Sequence, residues 1–239
     1  MLLVFFLVLA FLLGALPFSY IIGRQVKGLD LRRHGSGNLG ATNVFRTLGP
    51  AWGGLCLLLD LAKGAAAVGL MTWLVNTWPV GEPTPFHITP DLFRIFAGVI
   101  AALGHTFSPF VGFHGGKGVA TTAGAFAVLA PFSIIIATVA FLACFLTTGI
   151  VSLASITAAS VLPVSVLLFE LSSDHPSTTI IVFVFLLCGW VIFKHRSNII
   201  RLQDGTEGKI VTSAGNNTPG EDPSDEAGSP DQEPGEAER

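Results

Sequence analysis

The segment VATTAGAFAVLAPFSIIIATVAFLACFLTTGI (119–150) contains no charged residue and is apolar at most of its positions. A run of about 20 such residues is long enough to cross the hydrocarbon core of a bilayer as an α-helix. The apolar character extends to residue 194, with interruptions at Pro131, Gly149, Pro163 and a polar turn, 172–177. This half of the chain therefore predicts several membrane-spanning helices.

The whole chain has the composition of a polytopic membrane protein. Only 12% of its 239 residues are charged and the mean hydropathy is +0.66, whereas a soluble domain carries about 25% charged residues. The sequence predicts about seven transmembrane helices, some of them short or re-entrant; the count is six if 117–130, which is short for a full crossing, does not span. The predicted spans are about 2–23, 51–78, 93–112, 117–130, 132–147, 150–171 and 178–194.

Lysine and arginine are concentrated in three connecting segments, 24–50, 112–118 and 195–209. Positively charged connectors remain on the cytoplasmic side of a membrane. We therefore expect the N-terminus outside, the C-terminus in the cytoplasm, and the segment 79–92, which has no lysine or arginine, outside.

The acidic residues are concentrated at the other end of the chain. Residues 204–239 carry ten of the sixteen aspartates and glutamates. A segment this rich in Gly, Pro, Ser and acidic residues does not bury enough apolar surface to fold. We expect a membrane domain, 1–207, followed by a disordered acidic cytoplasmic tail, 208–239.

The first cytoplasmic connector contains GSGNLGATNVFR (35–46), which is polar and rich in glycine. Its glycines permit a close approach of the backbone to a ligand, and the guanidinium of Arg46 suits a phosphate. Neutral hydrogen-bonding groups come from Ser36, Asn38, Thr42 and Asn43. The alternative is a flexible connector whose charge only sets topology.

The second connector lies within GHTFSPFVGFHGGKGVAT (104–121). Backbone N–H groups near a helix N-terminus, together with a lysine, form a site for an anion such as phosphate. The candidate residues are Gly115, Gly116, Lys117 and Gly118. The Walker spacing is absent, and a tight interhelical turn with a topology-setting lysine is the alternative.

The third connector begins HRSNIIRLQDGTE (195–207) and places His195 and Asn198 one helical turn apart. Arg196 and Arg201 lie nearby, and simple snorkelling towards the membrane surface would also explain them.

Within the second span, Asp60 and Lys63 are three residues apart on one helix face, and charges there are costly unless paired. They form either a structural pair or a support for a neighbouring loop. His105, near the cytoplasmic end of the third span, is either a packed core residue or a functional one. No spacing of histidines or of Cys56, Cys144 and Cys188 suggests a metal, and we expect no metal, cofactor or nucleic-acid partner.

Together, four motifs in order resemble the bacterial acyl-phosphate:glycerol-3-phosphate acyltransferases, the PlsY family. The patterns GSGN-x-GATN-x-x-R and D-x-x-KG are matched by 35–46 and 60–64. The patterns GH-x-x-x-x-P-x-x-x-x-GGKG-x-AT and HR-x-NI-x-RL-x-x-G-x-E are matched, the first of them broadly, by 104–121 and 195–207. The chain departs from the family at His34, where an acidic residue is usual, and at His114, where a lysine is usual.

The resemblance implies a multi-pass enzyme of the bacterial inner membrane whose active site faces the cytoplasm. Its partners would be glycerol 3-phosphate, a fatty acyl-phosphate, membrane lipid and a soluble enzyme that supplies the donor. The sn-1 hydroxyl would be acylated to give lysophosphatidic acid and phosphate in phospholipid biosynthesis. The H-x-x-x-x-D signature of soluble acyltransferases is absent after all six histidines.

The resemblance also assigns roles to residues. Catalysis is expected from Ser36, Arg46, Lys117, His195 and Asn198. Substrate binding is expected from Gly37, Asn38, Thr42, Asn43, Gly115, Gly116 and Gly118, with support from Asp60, Lys63, His105 and Arg196. Either His195 or the leaving phosphate would take the proton.

Two other classes of protein remain open from the sequence. A transporter of a phosphorylated solute also has basic pockets and helices interrupted by glycine, but the chain has no internal repeat and its polar groups cluster on one side. A non-catalytic scaffold would leave the glycine and asparagine clusters unexplained.

Overall fold

The computed structural model describes residues 2–77 and 90–210, and all regular structure in these ranges is helical. This confirms the predicted all-α class. The tail from 211 onward and most of the predicted outer segment 79–92 lie outside the described residues. The α-helices are α1 (Leu2–Ala15), α2 (Phe18–Lys27), α3 (Ala41–Leu48), α4 (Pro50–Thr77), α5 (Pro90–Thr106), α6 (Val119–Leu129), α7 (Pro131–Thr148), α8 (Val151–Leu171), α9 (Thr178–Lys194) and α10 (Arg196–Gln203).

Five helical segments among the described residues are long and apolar enough to cross a bilayer, and a sixth is formed if α9 and α10, which bend by 56°, count together. The α6 helix has only 11 residues, about 16 Å of helix, and so is short as the sequence predicts. The count of seven and the orientation of the termini stay predictions. The five segments are Leu3–Lys27, Pro50–Thr77, Pro90–Val111, Pro131–Thr148 and Val151–Leu171.

The first span is broken between α1 and α2, where Pro17 supplies no backbone N–H. Carbonyl groups freed at such a break need partners, because hydrocarbon offers none. The Ala15 carbonyl oxygen accepts from the Ser108 hydroxyl at 2.6 Å, and the Leu16 carbonyl oxygen accepts from Lys63 Nζ at 3.0 Å. Two other parts of the bundle therefore stabilise the break.

The α8 helix continues through Pro163 from Val151 to Leu171, as the predicted span 150–171 requires. A membrane helix tolerates an internal proline when packing and local adjustments compensate for the lost hydrogen bond. Pro163 is buried in the bundle, so neighbouring helices hold α8 in place.

The α4 and α6 helices pack with their backbones in contact. A β-carbon added at Gly124 would lie 1.9 Å from the Leu61 carbonyl oxygen, and one at Gly64 would lie 2.0 Å from that of Thr121. Small residues at such crossings let membrane helices approach closely. The crossing fixes the start of α6, and with it the second connector, beside the charged part of α4.

The connectors contain more regular structure than the sequence suggests. The first connector holds a 3-10 turn, Leu31–Arg33, and the helix α3, and the third connector is largely the helix α10. The alternative of a merely flexible first connector is therefore not supported.

Candidate active site

Side chains from separate parts of the sequence join the three connectors at one end of the bundle. Arg32 of the first donates to the Val111 carbonyl oxygen beside the second at 3.4 Å. Lys117 of the second donates to Asn198 Oδ1 of the third. Arg46 donates from its Nη2 to the Gly208 carbonyl oxygen at 2.8 Å. The three connectors therefore form one polar site.

Lys117 is half-buried and lies one residue before the N-cap of α6. Its pKa is lowered to about 8 by burial and by the positive charges of Arg201 and Arg46, although the Glu207 carboxylate opposes this shift. An ammonium group that has lost part of its hydration and hydrogen-bonds a neutral amide has donors left for an anion. Lys117 is therefore well placed to bind a phosphate.

Glu207 is the hub of the site, with a side chain only 5% exposed. It accepts from Ser152 Oγ at 2.7 Å, from Asn198 Nδ2 at 2.6 Å and from Arg201 Nε at 2.6 Å. Burial favours the neutral acid, but these three hydrogen bonds prevail and lower the pKa of Glu207. The ionised carboxylate thereby orients Asn198, whose other amide atom faces Lys117.

His195 lies between α9 and α10 and is 3% exposed. Its Nδ1 is 2.8 Å from the Val191 carbonyl oxygen. Because a carbonyl only accepts, Nδ1 carries the proton and Nε2 is the acceptor nitrogen. Burial and the charge of Lys117 lower the pKa of His195 to about 4, so the ring is neutral at pH 7 and is a weak base.

Arg46 is exposed at the end of α3, on the same side of the site as Gly208. Its bond to Gly208 uses one of the five N–H groups of the guanidinium. The remaining donors suit a bidentate contact with phosphate oxygens.

Asn43 has a different position from the one expected. It is 1% exposed, and its Oδ1 accepts from the Ser36 backbone N–H at 2.9 Å. Its Nδ2 donates to the carbonyl oxygens of Leu31 and His34 at 3.1 and 3.0 Å. The amide thus shapes the first connector, and the substrate-binding role expected for Asn43 stays a prediction.

The glycines of the second connector differ in the hydrogen bonds that their backbone groups make. The N–H groups of Gly115 and Gly116 donate to the carbonyl oxygens of Thr106 and His105 at 3.0 and 3.2 Å, so they are not directed at a ligand. Gly118 is the N-cap of α6 at φ +82° and caps no N–H with a side chain. The backbone N–H groups left without helical partners at this place are those in the first turn of α6, whereas the N–H groups of Gly115 and Gly116 are occupied.

Gly37 and Asn38 line a cavity of about 600 Å³ together with Gly115. Ser36 is exposed in the same turn. Among the described residues, neither Ser36 nor Thr42 makes a side-chain hydrogen bond to Lys117, Asn198 or Glu207. The ligand contacts of Ser36 and Thr42 stay predictions.

Asp60, Lys63 and His105 form a buried network, each at most 8% exposed. Lys63 Nζ is 2.8 Å from Asp60 Oδ1 and 2.8 Å from His105 Nδ1. A β-carbon added at Gly116 would lie 2.2 Å from His105 Nε2. The network is both a structural ion pair and a support against which the second connector packs.

Arg196 does not join the site. Its guanidinium lies over the Phe193 ring, 5.0 Å from the centroid, and the residue is exposed.

Sequence reasoning missed Ser152 and gave no role to Glu207. The acidic residue at the end of the fourth motif was a signal for Glu207, whereas nothing in the sequence distinguishes Ser152. In the described part of the chain, no three His, Cys, Asp or Glu residues cluster as a metal site would require.

The family model for glycerol-3-phosphate acyltransferase matches residues 4–205. The chain belongs to the glycerol-3-phosphate acyltransferase family. A member from Syntrophomonas wolfei is 40% identical over 208 residues, which cover 87% of this chain and 97% of the relative. A member from Bacillus subtilis is 37% identical over 210 residues, covering 88% and 98%.

Solved structures of PlsY, an integral membrane glycerol 3-phosphate acyltransferase, have the same fold as this family member. Its glycerol 3-phosphate form superposes with a TM-score of 0.73 at 34% identity, covering 88% of this chain and 96% of PlsY. Its lysophosphatidic acid form superposes with a TM-score of 0.71 at 33% identity over the same shares. The protein is accordingly an integral membrane protein of the PlsY type.

Proposed function

We propose that the protein transfers a fatty acyl group from an acyl-phosphate to the sn-1 hydroxyl of glycerol 3-phosphate, forming lysophosphatidic acid and phosphate for phospholipid synthesis. The supporting observation is the chain of contacts that joins Lys117, Asn198 and Glu207 beside Arg46. This arrangement concentrates cationic and amide donors at the end of a membrane bundle, where a phosphate-bearing acceptor meets an acyl chain.

In this reaction, Arg46 and Lys117 bind the phosphate of the acceptor. Asn198 is held by Glu207 and orients the ammonium group of Lys117. Ser36 contributes a further hydroxyl from the first connector. Fixing the acceptor beside an activated acyl donor removes much of the entropic barrier of a two-substrate reaction.

The acceptor hydroxyl oxygen attacks the carbonyl carbon of the donor, and the bond from that carbon to the phosphate oxygen breaks. The proton of the hydroxyl passes to the departing phosphate. His195 is a poor base because its pKa is about 4, and it accepts a hydrogen bond at Nε2 instead. The N–H groups in the first turn of α6 stabilise the charge that develops on the donor.

The site faces the cytoplasm of a bacterial cell whose inner membrane holds the protein. The cationic connectors support this orientation, because lysine and arginine are retained on that side. A soluble enzyme that makes acyl-phosphate would supply the donor from the same compartment.

Purified protein in neutral-lipid nanodiscs, incubated with palmitoyl-phosphate and labelled glycerol 3-phosphate, is expected to form a labelled lipid. Palmitoyl-CoA and palmitoyl-acyl carrier protein serve as matched donors and are expected to give none. Labelled product from either of these in the absence of palmitoyl-phosphate would refute the proposed donor. No product from any donor would refute the enzyme itself.

A further inference from the structure

Three exposed cations surround the end of α3. Lys27 Nζ donates to the carbonyl oxygen of Thr47, the residue after Arg46, at 3.3 Å. Arg46 donates to the Gly208 carbonyl oxygen at 2.8 Å, and Lys209 follows Gly208 in the chain. All three cations are exposed. We call Lys27, Arg46 and Lys209 the cationic face, because these contacts bring α2, α3 and the residues after α10 together.

The cationic face has no counter-charge in the described part of the chain. None of its three side chains lies within 4.0 Å of a carboxylate there. Two carboxylates of the connectors are already paired elsewhere, Asp30 with Arg32 at 2.6 Å and Glu207 with Arg201 at 2.6 Å. An ammonium group has three donors, and Lys27 uses one of them on a neutral carbonyl. The face therefore has both donors and charge available for an anion.

The chain itself contains an opposite charge of nearly the same size. The segments 24–50, 112–118 and 195–210 together hold nine basic residues and three acidic ones, which gives them a net charge of +6. Residues 211–239 hold eight acidic residues and one arginine, a net charge of −7. Four of these eight lie in EDPSDE (221–226), which we call the acidic segment. Charges this unequal between two parts of one chain attract each other at low salt.

The chain that leads to the acidic segment starts beside the cationic face. The Ile210 N–H donates to the Gly149 carbonyl oxygen at 2.9 Å, and Gly208 is bound to Arg46. Glu221 is 11 positions beyond Ile210, and that length of chain spans at most about 36–40 Å. An anion tethered at such a length has a local concentration on the order of millimolar. The chain's own acidic segment is therefore favoured over an anionic lipid or a second copy of the protein.

We propose that the acidic segment docks on the cationic face. Its carboxylates pair with the ammonium groups of Lys27 and Lys209 and reduce the positive potential at Arg46. Resting on the proposed function, which gives Arg46 to the phosphate of the acceptor, the docked segment competes with that phosphate. The competition weakens as salt is added, because exposed ion pairs are screened within a Debye length.

The test of docking is carbodiimide crosslinking of the full chain in neutral-lipid nanodiscs that hold one copy each. The reagent activates a carboxylate, and a lysine amine in contact with it forms an amide bond. We expect a peptide containing 221–226 to be joined to the one containing Lys27. Lys27 decides the test, because Lys209 is close to Glu221 in the sequence. The yield should fall roughly fivefold between about 10 mM and 1 M salt, as the Debye length shrinks from roughly 30 Å to 3 Å.

A matched pair of variants tests whether the cationic face is the partner. Lys209→Gln is expected to lower the yield of the Lys27 crosslink about threefold, because one of two exposed ion pairs is lost. Arg33→Gln is the control and should leave the yield unchanged. Arg33 is an exposed cation of the first connector whose side chain makes no hydrogen bond or ion pair among the described residues. Equal losses in the two variants would overturn the proposal.

Other occupants of the face give different results. No Lys27 crosslink in single-copy nanodiscs would overturn the proposal, and a crosslink found only in detergent would assign the face to a second copy. A crosslink from 231–238 as abundant as that from 221–226 would overturn the choice of segment. In nanodiscs with about 30% phosphatidylglycerol the yield should stay within twofold. Its loss there would assign the face to bilayer lipid, and the proposal would fail.

Steady-state kinetics test the competition with the acceptor. Neutralising the acidic segment in the full chain (Glu221→Gln, Asp222→Asn, Asp225→Asn and Glu226→Gln) is expected to lower the KM for glycerol 3-phosphate about threefold at about 10 mM salt. The difference should vanish at about 1 M salt. The matched control neutralises Asp231, Glu233, Glu236 and Glu238 and should give less than half of this change.

The two measurements separate this proposal from the proposed function. An unchanged KM in the neutralised variant would refute the competition even where the crosslink forms. Absence of acyl transfer would refute the proposed function, whereas the crosslink, which needs no turnover, would still show whether the acidic segment docks.

Discussion

Two lysines of this protein occupy opposite kinds of polar network. Lys63, in the interior of the bundle, is bound to a carboxylate, an imidazole and the carbonyl oxygen at the break of the first span. Lys117, at the end of the bundle, donates to a single neutral amide oxygen. An ammonium group has three donors, so Lys63 has none to spare and Lys117 has two. The first arrangement holds structure together, and the second is ready for a ligand.

The largest expected effect comes from removing the second of these lysines. Lys117→Met should lower kcat/KM for glycerol 3-phosphate by about 10³-fold, because a positioned donor to developing or bound anionic charge is lost. The thermal midpoint should change little, since Asn198 keeps its bond to Glu207. Residual activity within tenfold of the unaltered enzyme would show that the two lysines do not differ as described. Arg33→Gln is the charge-matched control.

The converse substitution, Lys63→Met, should act on stability. It leaves the Asp60 carboxylate buried without its cation, which costs about 3 kcal/mol, and it also deprives the Leu16 carbonyl oxygen of its donor. We expect a fall in the thermal midpoint of roughly 6–12 °C in detergent for a chain of this length. The double variant Asp60→Asn/Lys63→Met should recover most of the loss. If it is as unstable as the single variant, the contact with Leu16 matters more than the ion pair.

A smaller effect is expected in the pH dependence of kcat/KM, which reports the protonation of Lys117. Lys117 has a pKa of about 8, and its protonated form binds the anion, so kcat/KM should be highest below pH 8 and fall tenfold per unit well above it. Lys117→Arg should remove this fall up to pH 9.5, because arginine stays charged. Glu207→Gln should move the fall to lower pH, because the carboxylate raises the pKa of Lys117. The same high-pH limb in Lys117→Arg would assign it to another group.

The sequence predicts the apolar helices well and the polar ones poorly. The α4, α7, α8 and α9 helices end within about two residues of their predicted bounds, because a hydrocarbon environment requires long apolar runs with satisfied backbones. The α3 and α10 helices have only eight residues each. Short polar helices depend on tertiary packing rather than on their own propensity, so hydropathy does not detect them.

The dependence on tertiary packing also explains which contacts at the site the sequence predicted and which it missed. Motif residues Lys117 and Asn198 meet as expected, whereas Asn43 turned out to shape its own loop. An asparagine that binds a ligand and one that binds backbone look alike in a sequence, because both satisfy the same donors and acceptor. Ser152 reaches Glu207 across 55 positions, and no local pattern encodes such a contact.

The final described residues, 204–210, also matter for how the protein is made. Glu207 completes the polar site, Gly208 binds Arg46, and the Ile210 N–H donates to the Gly149 carbonyl oxygen at 2.9 Å. All three contacts are formed by chain that leaves the ribosome after every membrane helix of the described residues. A nascent polypeptide would therefore complete its hydrophobic bundle first and its polar site last. Premature termination before residue 207 would leave a protein that is inserted in the membrane but lacks a complete site.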